Sequence, residues 1–265
     1  MTGAPLGLRI ATAAFVALVV LFLLAPLAVV MAASLSAGGY LVFPPQGLSL
    51  RWYAEVLADR RHQEAFATSL LVATLCTAIA VPLGTAGALA LARPFPGRGA
   101  AQLLFLSPLL FPTVVVAIGL LILASRALGG SSLSVIVAGH VVLAIPFVVR
   151  PVAAVLAGVD PATGEAARVM GAKPWQRLLL VTLPQCRAGI GAGALLAFLV
   201  SFDDAVLVLF LRTPAIDTLP LRIYSSLEFS PDPGVAAAST LLILLAAMVV
   251  LASERLLAGR GAVAG

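Results

Sequence analysis

Long apolar stretches separated by short polar segments dominate this sequence. A helix needs about 20 apolar residues to cross ~30 Å of hydrocarbon, and six stretches reach that length. They lie at about residues 10–34, 65–92, 101–124, 133–156, 187–211 and 234–257. The first stretch follows Arg9 as in a signal peptide, but it exceeds the ~7–15 residues of a signal-peptide core. We therefore predict an all-α membrane protein with six transmembrane helices, the first of them an anchor.

Prolines interrupt the third and fourth predicted spans. Pro108 and Pro112 stand about one helical turn apart. Proline lacks a backbone N–H and collides with the preceding turn of a helix. A kink is the simpler expectation for the third span, and a broken helix lining a transport path is the alternative. Pro146 and Pro151 are expected to disrupt the fourth span in the same way.

The composition agrees with a membrane protein. Hydrophobic residues make up 62% of the 265 residues and charged residues 10%, whereas a soluble domain carries about 25% charged residues. The chain is therefore counted in membrane spans, as a single transmembrane domain over residues 1–265. We attribute the formal net charge of +5 to membrane topology and not to nucleic-acid binding.

The distribution of basic residues predicts how the chain is oriented, because cytoplasmic segments carry an excess of lysine and arginine. If the N-terminus is inside, ten of the 16 basic residues fall in cytoplasmic segments: Arg9, Arg93, Arg98, Arg150, Arg168, Lys173, Arg177, Arg187, Arg255 and Arg260. The other six fall outside: Arg51, Arg60, Arg61, Arg126, Arg212 and Arg222. We therefore predict that both termini face the cytoplasm.

Side chains that carry enzymatic chemistry are few and scattered. Cys76 and Cys186 are predicted at different depths, beyond the ~7 Å Cα separation that a disulfide allows, so we expect two free thiols. His62 and His140 have no second ligand at metal spacing, and we assign neither a site role. The one lysine, Lys173, precedes a proline, whereas a phosphate-binding loop needs Gly-Lys-Ser/Thr. We expect no catalytic residue, metal or cofactor, and no ATP hydrolysis by this chain.

A polar segment between the fourth and fifth spans carries the main functional signal. Asp160 suits a helix N-cap and Pro161 the first helical position, so a short helix is predicted to begin there. Gly171 can end that helix in a left-handed conformation. Pro174 then opens a second short helix, and Pro184 is expected to mark its end.

The predicted helix–Gly–helix unit offers a surface on which another protein can dock. Its small residues allow a partner to approach the backbone closely, and its charged and large apolar residues can supply contacts. These residues are Glu165, Ala166, Ala167, Arg168, Met170 and Trp175. An ordinary amphipathic inner loop would have the same composition, and the residues alone leave both interpretations open.

The same segment resembles the EAA loop of ABC-importer permeases, the membrane-spanning components of ATP-driven import systems. The resemblance rests on Glu165, Ala166, Ala167, Gly171, Val181, Leu183 and Pro184. Position 181 holds valine where isoleucine is usual. The resemblance implies a core of five helices, here about residues 65–257, preceded by one N-terminal helix. It also implies that residues 160–176 form a coupling helix in a groove of an ATPase subunit.

Further segments resemble the polyamine-type branch of these permeases, which imports spermidine or putrescine. They are Phe43-Pro44-Pro45, Leu50-Arg51-Trp52-Tyr53, Ser201-Phe202-Asp203-Asp204, Thr218-Leu219-Pro220-Leu221 and Asp232-Pro233. Close relatives carry opines or aminoethylphosphonate, so the exact substrate stays open. The resemblance implies a permease of the bacterial inner membrane. Its partners would be two ATP-binding cassette subunits, a second permease and a periplasmic or lipid-tethered substrate-binding protein.

Asp203 and Asp204 lie inside the fifth predicted span, and the one other acidic residue within a predicted span, Glu254, lies near the end of the last one. Ionisable side chains at that depth usually face a bundle interior or a cavity, and adjacent residues of a helix point about 100° apart. One carboxylate could therefore meet a cationic solute while the other makes an interhelical contact. We predict that Ser201, Asp203 and Asp204 lie at the substrate pathway, and the branch pattern favours Asp203 for the contact with the solute. A purely structural role for the pair stays open.

Two other functions could use an acidic pair. An ion-coupled secondary transporter built around Asp203 and Asp204 would be expected to show inverted repeats, and the sequence shows none. An intramembrane aspartyl protease needs two facing carboxylates that share a proton, which adjacent residues of one helix cannot form. We therefore predict the permease subunit of an ABC importer, with the secondary transporter as the alternative.

Overall fold

The computed structural model describes residues 6–261, with the side chains of residues 254 and 256–261 excepted. The predicted domain over 1–265 extends beyond this range at both ends. Arg260, counted above as cytoplasmic, is one of the residues whose side chain is not described. Within residues 6–261 the chain forms helices and connecting segments without a β-strand, which confirms the all-α class. The helices are α1 (Leu6–Ala33), α2 (Arg51–Ala58), α3 (Arg60–Leu91), α4 (Arg98–Leu106), α5 (Thr113–Ala127), α6 (Leu133–Ala157), α7 (Pro161–Val169), α8 (Pro174–Arg177), α9 (Leu183–Gln185), α10 (Arg187–Phe202), α11 (Val206–Leu211), α12 (Leu219–Phe229) and α13 (Pro233–Gly261).

Four of the described helices are long and apolar enough to cross a membrane by themselves. They are α1, α3, α6 and, within α13, Pro233–Ser253. Two bent pairs of helical segments meet the same requirement together: Arg98–Leu109 with Thr113–Ala127, and Pro174–Gln185 with Arg187–Phe202. The described residues therefore hold four candidate spans, or up to six if each bent pair is one span.

The third predicted span is broken, so the expected kink is wrong. The segment Arg98–Leu109, which ends in a 3₁₀ turn, meets α5 at 99°. Pro108 lies in that turn, and Pro112 has an extended backbone, with ψ of 134°, immediately before α5. Proline is tolerated at the start of a helix, where its missing N–H has no intrahelical partner to lose. The two prolines therefore end one helix and begin the next.

The fourth predicted span is continuous, so the expected disruption there is also wrong. α6 runs through both Pro146 and Pro151 without a break. Pro146, Val148 and Val149 are buried in the core. Packing of this helix against its neighbours therefore outweighs the local cost of each proline, which is about 3 kcal/mol in an isolated helix.

Glycines of α10 let that helix approach α6 closely. A Cβ atom at Gly189 would lie 2.7 Å from the Pro151 carbonyl oxygen, and one at Gly193 would lie 3.0 Å from the Val148 Cα. Small residues at such contacts allow backbones to pack together within a membrane. The α6–α10 pair is therefore in direct backbone contact.

A Gly189→Ala substitution is expected to destabilise the folded chain, because its methyl group would push against the backbone of α6. Overpacking of this kind typically costs about 1–3 kcal/mol. The measurement is the thermal unfolding midpoint of the purified protein in detergent. Gly119→Ala is the matched control, since Gly119 lies in α5 and no atom lies within 4 Å of the position that a Cβ would take there. Equal midpoints for the two variants would contradict the close approach.

The chain divides into two compact units, Met1–His62 with Ile223–Leu245 and Gln63–Arg222 with Ala246–Gly265. In the first unit, Val56 of α2 packs against Ala237 and Ala238 of α13, with Trp52 beside them. The second unit contains the predicted coupling loop, the acidic pair and the α6–α10 contact. Both candidate sites therefore lie within one unit.

Candidate functional site: the 160–176 loop and the acidic break

The predicted coupling loop begins with a capped helix. The Asp160 carboxylate accepts a hydrogen bond of 2.8 Å from the Ala162 backbone N–H, and Pro161 occupies the first turn of α7. Two residues beyond the end of α7, Gly171 has a φ of +85°, in the left-handed region. The predicted N-cap, first position and terminating glycine are all confirmed. Local side-chain chemistry therefore fixes where this helix begins and ends.

The segment after Gly171 is held to the rest of the loop by side-chain hydrogen bonds. The Lys173 backbone N–H donates to Gln176 Oε1 at 2.7 Å, which closes the first turn of α8. Gln185 Nε2, in α9, donates to Thr163 Oγ1 of α7 at 3.3 Å. The two arms of the loop therefore form one unit and are not independent tails.

Pro184 does not end a helix, which corrects the sequence prediction. A π-helical turn over Leu178–Thr182 follows α8, and Pro184 lies in the first turn of α9 directly after it. A π turn shifts the hydrogen-bond register by one residue relative to an α-helix. Pro184 lies in the first turn of α9, where the N–H group that proline lacks would have no hydrogen-bond partner within the helix. The helical path bends by 70° only where α9 meets α10.

The loop exposes a compact mixed surface. Val169 and Met170 are 84% and 82% exposed, and Trp175 is 58% exposed. Beside them the Glu165 carboxylate and the Arg168 guanidinium form an ion pair of 2.7 Å. Ala166 is exposed but Ala167 is only 7% exposed, so one of the two small residues faces outward. We name the exposed set the loop surface: Glu165, Ala166, Arg168, Val169, Met170 and Trp175.

Asp203 and Asp204 lie in a break between two helices. α10 ends at Phe202 and α11 begins at Val206, so the spacing of about 100° expected for neighbours in one helix does not apply. Asp204 Oδ1 accepts a hydrogen bond of 2.7 Å from the backbone N–H of Leu207 in the first turn of α11. In the part of the chain that the structure describes, the exposed Asp203 carboxylate has no hydrogen-bond or ion-pair partner. The Asp204 carboxylate is therefore hydrogen-bonded to the backbone, whereas the Asp203 carboxylate could still accept a hydrogen bond from a ligand.

A buried polar pair that the sequence analysis missed adjoins this break. His140 Nδ1 of α6 lies 2.9 Å from Ser201 Oγ of α10, and both side chains are buried. The His140 Nε2 atom is also buried and has no partner among the described residues. A histidine in the middle of an apolar span was the available signal, because ionisable side chains within the membrane are costly. Ser201, which was predicted at the substrate pathway, joins α10 to α6 through this contact.

The structure also describes both cysteines and most of the side chains that could bind a metal ion. Cys76 and Cys186 are both free and buried, as predicted from their expected depths. Among the residues that the structure describes, no three His, Cys, Asp or Glu side chains are grouped as metal ligands. The loop surface and the Asp203 carboxylate are therefore the exposed groups of this arrangement, whereas the His140–Ser201 pair is buried.

Similar proteins give this geometry its context. The chain is 32% identical over 230 residues to the putrescine transport system permease protein PotI of Escherichia coli K12, covering 84% of this chain and 82% of PotI. It is 32% identical over 213 residues to the spermidine/putrescine transport system permease protein PotC of the same strain, covering 79% of this chain and 80% of PotC.

The fold is shared with a bacterial ABC transporter involved in the import of the acidic polysaccharide alginate. A chain of that crystal structure matches with a TM-score of 0.72 at 16% identity, over 94% of this chain and 95% of that one. Residues 80–261 match the family model described as the binding-protein-dependent transport system inner membrane component. The chain therefore belongs to this family, as an inner-membrane permease component of an ABC importer.

Proposed function

We propose that this chain forms a solute pathway together with a second permease subunit and is driven through residues 160–176 by two ATPase subunits. The loop surface is the observation that carries the proposal. It combines exposed apolar side chains with an ion pair on a helix whose cap and glycine terminus fix its shape. Large apolar groups exposed together mark interaction sites.

The loop is built to transmit force and not only to bind. α7 is tied to α9 by the Gln185–Thr163 hydrogen bond, and α9 leads directly into α10 at Cys186. α10 in turn contacts the α6 backbone through Gly189 and Gly193. A push on the loop would therefore move two packed helices together, as in the two-state rigid-element switches of other transporters and enzymes.

The proposed solute is a small organic cation of the polyamine type. Asp203 supports this, since its exposed carboxylate has no partner in the described part of the chain and can accept an ammonium group. The names of the relatives PotI and PotC include putrescine and spermidine, which are polycations. A substrate-binding protein would deliver the solute to the outer segments, especially residues 212–233.

ATP hydrolysis is assigned to the partner chains, in keeping with a family of permease components. The alternative of an ion-coupled secondary transporter that uses Asp203 and Asp204 is not favoured. Its site would use both carboxylates to hold an ion, whereas the Asp204 carboxylate already accepts a hydrogen bond from the Leu207 backbone N–H. Membership in a binding-protein-dependent family further supports an ATP-driven importer.

The proposed orientation places both termini in the cytoplasm, and this can be measured directly. An enzymatic reporter fused after Gly171 is expected to be cytoplasmic, and reporters fused near Gly47 or Pro231 are expected to be external. The physical reason is the excess of basic residues in the segments assigned to the inside. An external signal from the fusion at Gly171 would overturn the orientation and the coupling role together.

Reconstituted transport tests the proposed function. The complete complex in proteoliposomes, supplied with its binding protein outside, is expected to accumulate labelled putrescine or spermidine only when ATP is present on the ATPase side. Uptake driven by an ion gradient without ATP would support the secondary transporter. ATP-driven uptake of a neutral or anionic solute, with no uptake of either polyamine, would keep the permease role and remove the proposed substrate.

A further inference from the structure

A cleft in the second unit has no role in the proposed transport cycle. It lies between the C-terminal end of α3, the short helix α4 and the C-terminal half of α6, and has a volume of about 460 Å³. Its walls are mainly apolar, with Leu91, Leu106, Val149 and Leu156 among them. Arg98, Gln102 and Arg150 are the charged and amide side chains of its lining.

The guanidinium groups of Arg98 and Arg150 carry positive charge that no acidic side chain of the described residues neutralises. Arg98 and Arg150 are both exposed, and neither forms an ion pair with an acidic side chain among the described residues. Gln102 follows Arg98 by four residues on α4, so both side chains lie on the helix face that borders the cleft. The cleft therefore combines two positive charges and a hydrogen-bonding amide with a long apolar wall.

The position of α4 next to the cleft suggests contact with lipid. Leu103 and Leu104 project from α4 and are among the most exposed large apolar side chains of the chain. Phe105 of the same helix packs against α3, where a Cβ at Gly87 would lie 2.8 Å from the Phe105 ring. α4 is thus anchored on one face, apolar and exposed on another, and basic where it meets the cleft.

These features restrict the ligand. A soluble anion would satisfy the guanidinium groups but leave the apolar wall in contact with water. An apolar molecule would cover the wall but leave two charges unpaired. A molecule with an anionic head and an acyl tail satisfies both parts, and basic pockets between membrane helices on the cytoplasmic side are typical headgroup sites.

We propose that this cleft binds an anionic phospholipid of the inner leaflet, with Arg98 and Arg150 on its phosphate and the acyl chains along the apolar wall. The choice of leaflet rests on the proposed orientation. α6 ends at Ala157 and the capping residue of α7 is Asp160. A bound lipid would therefore contact the helix end that leads into the coupling loop.

Native mass spectrometry of the delipidated complex, titrated with phosphatidylglycerol, tests the site. Arg98→Gln and Arg150→Gln are each expected to weaken binding of the first phosphatidylglycerol about five-fold, the usual contribution of one basic side chain at an anionic membrane surface. Arg93→Gln is the matched control. It removes the same charge from the segment between α3 and α4 but does not line the cleft. The affinity of this variant for phosphatidylglycerol should equal that of the wild type.

The wild-type complex supplies a second comparison that needs no variant. Phosphatidylglycerol is expected to bind more tightly than zwitterionic phosphatidylcholine, and inorganic phosphate should not displace it. Equal affinity for the two lipids, or equal loss in all three arginine variants, would overturn the proposal. Displacement by inorganic phosphate would identify a soluble-anion site instead.

Failure of the lipid site and failure of the proposed function give different results. If Arg98→Gln and Arg150→Gln retain phosphatidylglycerol but lose the ATPase subunits, the cleft is part of a protein interface and the lipid proposal is wrong. If the wild-type complex transports with ATP but shows no phosphatidylglycerol preference, only the lipid proposal fails. If it binds the lipid but shows no ATP-driven uptake, the proposed function fails and the lipid site stands.

Discussion

A Glu165→Lys variant is expected to insert into the membrane normally but to lose ATP-driven uptake. The substitution replaces the 2.7 Å ion pair with Arg168 by two adjacent positive charges at the centre of the loop surface. We expect Glu165 to act as a hot spot of the interface, and substitution of such a residue costs about 2 kcal/mol or more, which corresponds to roughly 30-fold weaker binding. We therefore expect the ATPase to be lost during purification of the complex, while the amount of permease in the membrane stays unchanged.

Glu55→Lys is the matched control for charge reversal. Glu55 is paired with Arg51, and its side chain is 58% exposed, the same fraction as that of Glu165. It lies in α2, outside the loop surface, and its reversal should leave ATPase association intact. Co-purification and uptake at the wild-type level in the Glu165→Lys complex would remove the coupling role from the loop surface.

Variants of Gly171 separate the shape of the loop from its charge. The glycine has a φ of +85°, and no atom lies within 4 Å of the position of a Cβ. An alanine there is strained by about 1–2 kcal/mol without a steric collision. Gly171→Ala should therefore weaken coupling through strain alone, and Gly171→Asp should weaken it further by adding a negative charge beside the loop surface.

An Asp203→Asn variant is expected to assemble normally but to take up polyamines poorly. The carboxylate is exposed and has no partner in the described part of the chain, so its neutralisation should not disturb packing. A hydrogen bond to a charged group contributes about 1.5–3 kcal/mol. The apparent affinity for a polycation should thus fall about ten-fold or more, and a neutral solute should be affected less. The measurement is the concentration dependence of uptake in proteoliposomes.

Asp204 provides the comparison for Asp203. Its carboxylate accepts from the Leu207 N–H at 2.7 Å, a role that asparagine can also fill. Asp204→Asn should therefore transport nearly normally, whereas Asp204→Ala should lose about 1 kcal/mol of stability with this hydrogen bond. Normal uptake by Asp203→Asn together with failed uptake by Asp204→Asn in an intact complex would reverse the two assignments.

Local chemistry explains why the structure of the 160–176 loop could be predicted closely from the sequence. Asp160, Pro161 and Gly171 each act on the backbone within two or three residues of themselves, through a cap, a fixed φ and a left-handed turn. None of these effects needs a distant partner. The sequence therefore predicted where α7 begins and the glycine at which its helical path ends.

Contacts between residues far apart in the sequence explain why the predictions for α6 and for the segment after Phe202 were wrong. α6 keeps Pro146 and Pro151 because it packs on α10, which the sequence pattern could not reveal. The same apolar pattern concealed the break after Phe202, and the His140–Ser201 pair joins residues 61 positions apart. Proline and hydrophobicity mark where a helix is weak, but the packing partners decide whether it bends, breaks or stays straight.

Site-specific crosslinking from the proposed coupling loop tests most directly the central claim, that this loop binds an ATPase subunit. Cys76 and Cys186 are buried, so a cysteine introduced at the exposed position Ala166 is expected to be the dominant accessible thiol. Labelled with a photo-crosslinker in the assembled complex, Ala166→Cys should form an adduct with the ATPase subunit. Ala167→Cys, at a position that is only 7% exposed, should form far less. The account is contradicted if Ala166→Cys forms no ATPase adduct in a complex that transports.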